Sequence, residues 1–494
     1  MIFLKKTLKS VFTATVAGML LFGAAVSSAA DTPVTDIKTD TVVSGTLTKD
    51  QKNPRFYKFV APEDGYFDLV FTNKAADAGK SPIRVELFKG DTKHIFMRHE
   101  GGSRNFKSLG AKKDSVYYIG VDLVYSDTTS VGYDFNVKYT KADDWENEIN
   151  DDQANAREIA VNKEYKGSIN GLTFVGAGEA DKEMYVFTAP DRGYFTVDLN
   201  HADVAEHGTY ELEVLDENAN QLYYGRQYEW FSTRRLSAAK GQKFYISMDN
   251  ASDSDNQIYK LKVNFTATDA FELENNGDSK NATEITLGKE YSAVSNNFPD
   301  SDHQDADFFK FTLDAYSNVT LDIANDDVTC KEDFNALIYN EAGDESYLSD
   351  GKVSDKVSAM LGKGTYYIKV EHNTSAAIDY KFKVSAKPVK NKKLQLKSVD
   401  IKKLSGNKYS VSSAVINKKD SKANGYSISI SDNKDMKKSK SGAFSGSKAL
   451  KAKKALKIKS KKKTFYVTVS PRYKDIFGKT VNGPVSKIKV VNVK

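Results

Sequence analysis

The stretch Trp145-Glu-Asn-Glu-Ile-Asn-Asp-Asp152 returns later in the chain as Phe271-Glu-Leu-Glu-Asn-Asn-Gly-Asp278. Laid over one another without gaps, at an offset of 126 residues (272 minus 146), they agree at Glu146/Glu272, Glu148/Glu274, Asn150/Asn276 and Asp152/Asp278. The agreement continues through Asn155/Asn281, Ala156/Ala282, Glu158/Glu284 and Ile159/Ile285, and through Lys-Glu-Tyr165 and Lys-Glu-Tyr291. Two such copies a domain-length apart indicate duplicated modules, each a unit that buries its own apolar face.

Working outward, the same strands recur around each copy. Phe56-Tyr-Lys-Phe59, Met184-Tyr-Val-Phe187 and Phe308-Phe-Lys-Phe311 alternate with period two. Gly65-Tyr-Phe67 and Gly193-Tyr-Phe195 follow a short turn. The closing strands are Tyr133-Asp-Phe-Asn-Val137, Tyr259-Lys-Leu-Lys-Val263 and Tyr380-Lys-Phe-Lys-Val384. Aromatic and β-branched residues at this spacing, punctuated by Gly, Asn and Asp, specify antiparallel β-sandwiches. The expectation is an all-β chain of four tandem sandwiches: residues 31–141, 142–268, 269–386 and, after a linker at 387–395, residues 396–494. A length of 494 residues fits that count, at about 100–150 residues per domain.

Residues 1–30 read as a secretory signal: Lys5, Lys6 and Lys9, then an apolar run from Val11 to Val26, then Ser28-Ala29-Ala30. The mature protein is therefore expected outside the cell, without a membrane span. A lone cysteine, Cys330, allows no internal disulfide. No Leu-Pro-x-Thr-Gly signal closes the sequence, so covalent wall anchoring by sortase is not expected. The net charge of +6 conceals a polarity. From Lys387 onward 30 basic residues face 5 acidic ones, a net of +25, while the remainder holds 42 against 61 and is acidic by 19. An acidic body with a basic end points to a polyanionic partner such as a cell-wall polymer. Lys451, Lys453, Lys454, Lys461, Lys462 and Lys463 are the candidate contacts, on a strand and turns where Leu456 and Ile458 alternate with lysine. Aromatic interleaving is missing there, which argues against single-stranded nucleic acid.

The acidic repeat carries the chemistry. Glu-x-Glu-x-Asn-x-Asp sets oxygen ligands at i, i+2, i+4 and i+6, so on an extended strand Glu272, Glu274, Asn276 and Asp278 line one edge about 7 Å apart. A kink, or a partner carboxylate, would close a shell of hard oxygens around Ca²⁺. Asp305 and Asp307 are the partners expected for that copy, and Asp181 or Glu179 for Glu146, Glu148, Asn150 and Asp152. Catalytic signatures are missing: the six histidines form no His-Glu-x-x-His pair, and there is no Gly-x-Ser-x-Gly elbow. Binding is the expected class, with Trp230 and Tyr228 a candidate platform for a sugar ring.

With the lead-in stretch, Asp305-Ala-Asp-Phe-Phe-Lys-Phe311 and Leu361-Gly-Lys-Gly-Thr-Tyr-Tyr-Ile-Lys-Val370, the first three modules resemble the bacterial pre-peptidase C-terminal domain. The resemblance implies a β-sandwich appended to secreted proteins and calcium held by the acidic lead-in. Gly425-Tyr-Ser-Ile-Ser-Ile430, Lys463-Thr-Phe-Tyr-Val-Thr-Val469 and Asn482-Gly-Pro-Val-Ser-Lys487 resemble fibronectin type III domains of clostridial surface proteins, with Val485 in place of that family's tryptophan. Together these imply a surface or secreted binding protein, or an accessory protein of extracellular polymer degradation.

Overall fold

The computed structural model describes residues 33–93, 95–125, 129–148, 150–169, 182–201, 209–227, 230–250, 257–295, 305–326, 333–352, 354–371, 377–390 and 394–494. The signal segment, Cys330, Glu179, Asp181 and Tyr228 lie outside them. All regular structure among the described residues is β-strand. No helix there is long and apolar enough to cross a membrane. The chain divides into two compact units, residues 1–149 with 173–179, and residues 150–172 with 180–494.

In the first unit a five-stranded sheet runs in the order Val34–Asp36, Arg55–Val60, Val116–Leu123, Ile83–Lys89, Ile95–Gly101. A four-stranded sheet holds Val42–Thr48, Ser130–Lys141, Gly65–Asn73 and Arg104–Ala111. Alternation decides which side chains are inside: along Gly65–Asn73, Phe67, Leu69 and Phe71 are buried while Tyr66 and Asp68 face outward. The inward residues of both sheets form one core, including Phe59, Phe67, Tyr117 and Phe135.

The second unit repeats that five-stranded order twice. It appears as Arg157–Glu158, Lys182–Thr188, Lys243–Asn250, Tyr210–Asp216, Gln221–Gln227, and again as Thr283–Glu284, Asp307–Leu313, Gly364–Glu371, Phe334–Asn340, Glu345–Lys352. Each has a second sheet, built on Gly193–His201 with Gln257–Ala267 and on Ser317–Asn325 with Ile378–Pro388, and each has its own core.

Two features depart from the expected antiparallel sandwiches. The short first strand of each of the three five-stranded sheets just described pairs in parallel, Val34 with Phe56, Arg157 with Tyr185 and Thr283 with Phe309. The connection to the next paired strand is long enough to carry the chain back to the same end, as parallel pairing requires. The C-terminal strands, moreover, form one continuous sheet of eight rather than two sheets. The strand Ala449–Lys459 is responsible. It pairs with Lys408–Ile416 on one edge and Lys440–Ser445 on the other, across a register shift between Val411 and Ser413 that bends the sheet around Tyr426, Ile428, Phe465 and Val467.

Candidate metal centre

The carboxylates of the second acidic stretch are drawn together because the stretch is not a strand. Residues 272–278 run as bends and irregular backbone after a single bridge from Phe271 to Ser292. Side chains that an extended strand would space along an edge instead converge. Carboxylate oxygens of Glu272, Glu274 and Asp307 lie within 4.8 Å of one another. Asp307 opens the strand Asp307–Leu313, which is fastened to the stretch by the Phe308 N–H donating to the Asn276 carbonyl at 3.0 Å.

Glu272, Asn276 and Asp307 are fully buried. The Val294 N–H donates to Glu272 Oε1 at 2.5 Å, and Asn276 Nδ2 to Glu272 Oε2 at 3.3 Å. The Asn276 N–H donates to Glu274 Oε2, and the Tyr380 hydroxyl to Asp307 Oδ2 at 2.5 Å. Asn276 Oδ1 and Asp307 Oδ1 are buried with no hydrogen-bond partner. Buried acceptors without a donor are costly, by about 1–3 kcal/mol each, and cluster where a ligand completes the site.

The electrostatics agree. Burial is the main cause that pushes Glu272 and Asp307 well above the usual carboxylate range, with the neighbouring acids adding to it. Glu274 is pushed up to about 8, by burial first and Asp305 second. Asp305 thus lies within reach of all three. No lysine or arginine answers this charge among the causes that act on the three acids. The donor set, carboxylates and one amide carbonyl, is hard oxygen throughout, which fits Ca²⁺ and excludes a thiolate or imidazole metal site here.

Asp278 is not in the group. It is exposed, and its Oδ1 accepts the N–H groups of Lys280 and Asn281, holding the turn that leads to Thr283–Glu284. Asp152 does the same for Asn155. In the first unit Glu146 and Glu148 are buried, Glu146 closely enough that a Cβ on Gly110 would stand 2.6 Å from its Cγ. In the second unit Asn150 and Glu183 are buried together, with Asn150 Nδ2 donating to Glu183 Oε2 at 2.8 Å.

Glu183 is the residue that reading by stretches missed. Aligning Met184-Tyr-Val-Phe with Phe308-Phe-Lys-Phe puts Glu183 at the place of Asp307, so the repeat held the signal. The same alignment puts Arg55 there in the first unit, where no acidic stretch precedes and a cation would be superfluous. Tyr380 was missed as well. Tyr57 pairs its hydroxyl with Tyr133, and Tyr185 with Tyr259, both at 2.5 Å. The third copy has Phe309 instead, which leaves the Tyr380 hydroxyl to Asp307.

The remaining candidates are placed separately. Trp230 lies on a strand paired with Asn200, and its side chain is outside the described residues. Lys451, Lys453 and Lys454 are exposed on the strand Ala449–Lys459, where Leu456 and Ile458 are buried, and Lys461, Lys462 and Lys463 are exposed on the following turn.

No family model matches the sequence, and no curated protein does. Among solved structures the fold is similar to the pre-peptidase C-terminal domain of a Bacillus anthracis collagenase, at 18% identity over 22% of this chain and 93% of that one, with a TM-score of 0.17. It is also similar to a tandem of CBM22 domains from Paenibacillus barcinonensis, at 8% identity over 45% and 91%, with a TM-score of 0.14. A third is tripeptidyl peptidase 2, at 9% identity over 89% and 40%, with a TM-score of 0.17. Likeness at this level concerns the β-fold alone.

Proposed function

We propose that the chain is an exported, non-catalytic binding and structural protein of the bacterial surface. Ca²⁺ would fasten the acidic lead-in stretch at 272–278 to its sheet, and the basic C-terminal sheet would adhere to a wall polyanion. The observation that carries the reading is the buried convergence of Glu272, Glu274 and Asp307, with Asn276 Oδ1 and Asp307 Oδ1 lacking partners. Such a group is stable only protonated or neutralised by a cation.

The surroundings suit a strut. The Glu274 N–H donates to Ser237 Oγ at 2.8 Å, so the candidate centre is tied to the strand Leu236–Ala238 of the preceding pair of sheets. Arg235, next to it, donates through two N–H groups to Asp379 Oδ1 at 3.2 and 2.9 Å. Its guanidinium also stands 5.4 and 5.1 Å from the rings of Tyr194 and Phe271. A cation at Glu272 and Glu274 would hold Phe271 and its neighbours against these contacts, a mechanical role that needs no reacting group.

The test is thermal melting of the full mature chain in chelator and in millimolar Ca²⁺. The reading predicts a rise in melting temperature with Ca²⁺ and none with Na⁺ at equal ionic strength. Unchanged melting would remove the strut.

A further inference from the structure

A cavity of about 230 Å³ opens beside the candidate centre, within the second unit. Glu274, Asn275 and Asp305 form one wall. The facing wall comes from the turn between Tyr210–Asp216 and Gln221–Gln227, and from the start of Lys243–Asn250. We propose that this cavity binds a single neutral sugar ring.

The lining chemistry selects that class. Asn220, Gln221 and Gln242 contribute amides, each a donor and an acceptor, which match hydroxyl groups that are themselves both. Asp216, Glu274 and Asp305 contribute carboxyl oxygens. Among the described residues neither lysine nor arginine lines the cavity, so without a bound cation a carboxylate or phosphate entering it would meet acidic groups with no counterion. An anionic glycan is thereby disfavoured, and so is the wall polyanion assigned to the C-terminal sheet. The floor is apolar, from Leu222 and Leu236 over the buried Phe244, and suits the C–H face of a pyranose.

Size sets the limit. Sites for drug-sized ligands run to about 300–1,000 Å³, so this cavity holds one ring rather than a chain, with further sugars left in solvent. The walls are prearranged. Asp216 accepts the N–H groups of Asn218 and Asn220 and the Asn220 amide, Gln242 Oε1 accepts the Ala239 N–H, and Gln221 Nε2 donates to Glu213. Side chains already held lose little freedom on binding.

The inference deepens the binding function and shares Glu274 and Asp305 with the cation reading, so the experiment separates the two. Saturation-transfer NMR on the full chain would use methyl glycosides of glucose, galactose, mannose and N-acetylglucosamine, with glucuronic acid as the anionic control. It would be run in Ca²⁺ and in chelator, with Ca²⁺ calorimetry on the same sample. Gln221 is exposed at the mouth, so Gln221→Trp obstructs the cavity without disturbing the core. The expected result is saturable binding of at least one neutral glycoside, at least tenfold weaker in Gln221→Trp, whose Ca²⁺ heat is unchanged. No neutral glycoside binding in either condition, or binding that Gln221→Trp leaves intact, overturns the proposal whatever calorimetry shows. Glycoside binding lost in Gln221→Trp from a protein that takes up no Ca²⁺ upholds the cavity and removes the cation.

Discussion

Asp307 is central to the site because one of its oxygens is satisfied and the other is not. Tyr380 donates to Oδ2, while Oδ1 is buried without a partner among other acids. Asp307→Asn keeps the shape and removes one charge. In chelator it is expected to raise the melting temperature, by about 2–4 °C for each kcal/mol of repulsion relieved, and it should abolish any further rise with Ca²⁺. Scanning calorimetry of both proteins in both buffers checks this. The raised carboxylates also fix a pH dependence. Glu274 moves from 4.5 to about 8 in the fold, so between those values the folded, cation-free protein holds more protons than the unfolded chain. Stability without cation should fall as pH rises through that window. Ca²⁺ affinity should increase over the same range, because the cation needs the ionised form. Denaturant unfolding in chelator at pH 5 and pH 8 tests the first statement; equal stabilities would contradict it.

At the scale of elements, the strand pairs were legible because aromatic and β-branched residues alternate in them, as in Phe195, Val197 and Leu199, all buried. Period two needs no knowledge of distant contacts. The lead-in stretch was legible as an acidic segment but not as geometry. Glu-x-Glu-x-Asn reads as a strand edge, yet its backbone bends, and only the bend brings Glu272 to Asp307. Nothing local in the sequence specifies that bend. It is held by remote acceptors, the Ser292 carbonyl taking the Glu272 N–H and Ser237 Oγ the Glu274 N–H. The parallel first strands escaped notice because two or three residues give no periodicity to read. Arg235 and Asp379 are 144 residues apart, beyond any pattern of spacing. Both are only partly exposed and Arg235 is flanked by two rings, so Arg235→Ala should cost about 1–2 kcal/mol. A double-mutant cycle with Asp379→Ala by urea unfolding should return a coupling of at least half that; zero coupling would place Arg235's contribution in its ring contacts alone.

Across the whole molecule, charge is segregated by sequence position: net basic by 25 from Lys387 onward, net acidic before it. The strand Ala449–Lys459 shows how the fold tolerates this, turning Leu456 and Ile458 inward and the lysines outward. Exposed lysines paired with a polyanion bind through screened attraction. The full chain should therefore pellet with purified Gram-positive cell walls at low salt and release at high salt, and a chain stopped at Lys387 should stay in solution. Retention that salt does not weaken would assign adhesion to something other than the lysine surface.

The acidic stretch at 272–278, with Asp307, is proposed to hold a cation, and the most direct test is a count. Equilibrium dialysis of the full chain against Ca²⁺, followed by metal analysis, would be run beside Asp307→Asn. Bound Ca²⁺ in the unaltered chain, with a loss in Asp307→Asn, is the expected result. A chain that leaves dialysis with no bound Ca²⁺, or a variant that retains all of it, would overturn the cation site.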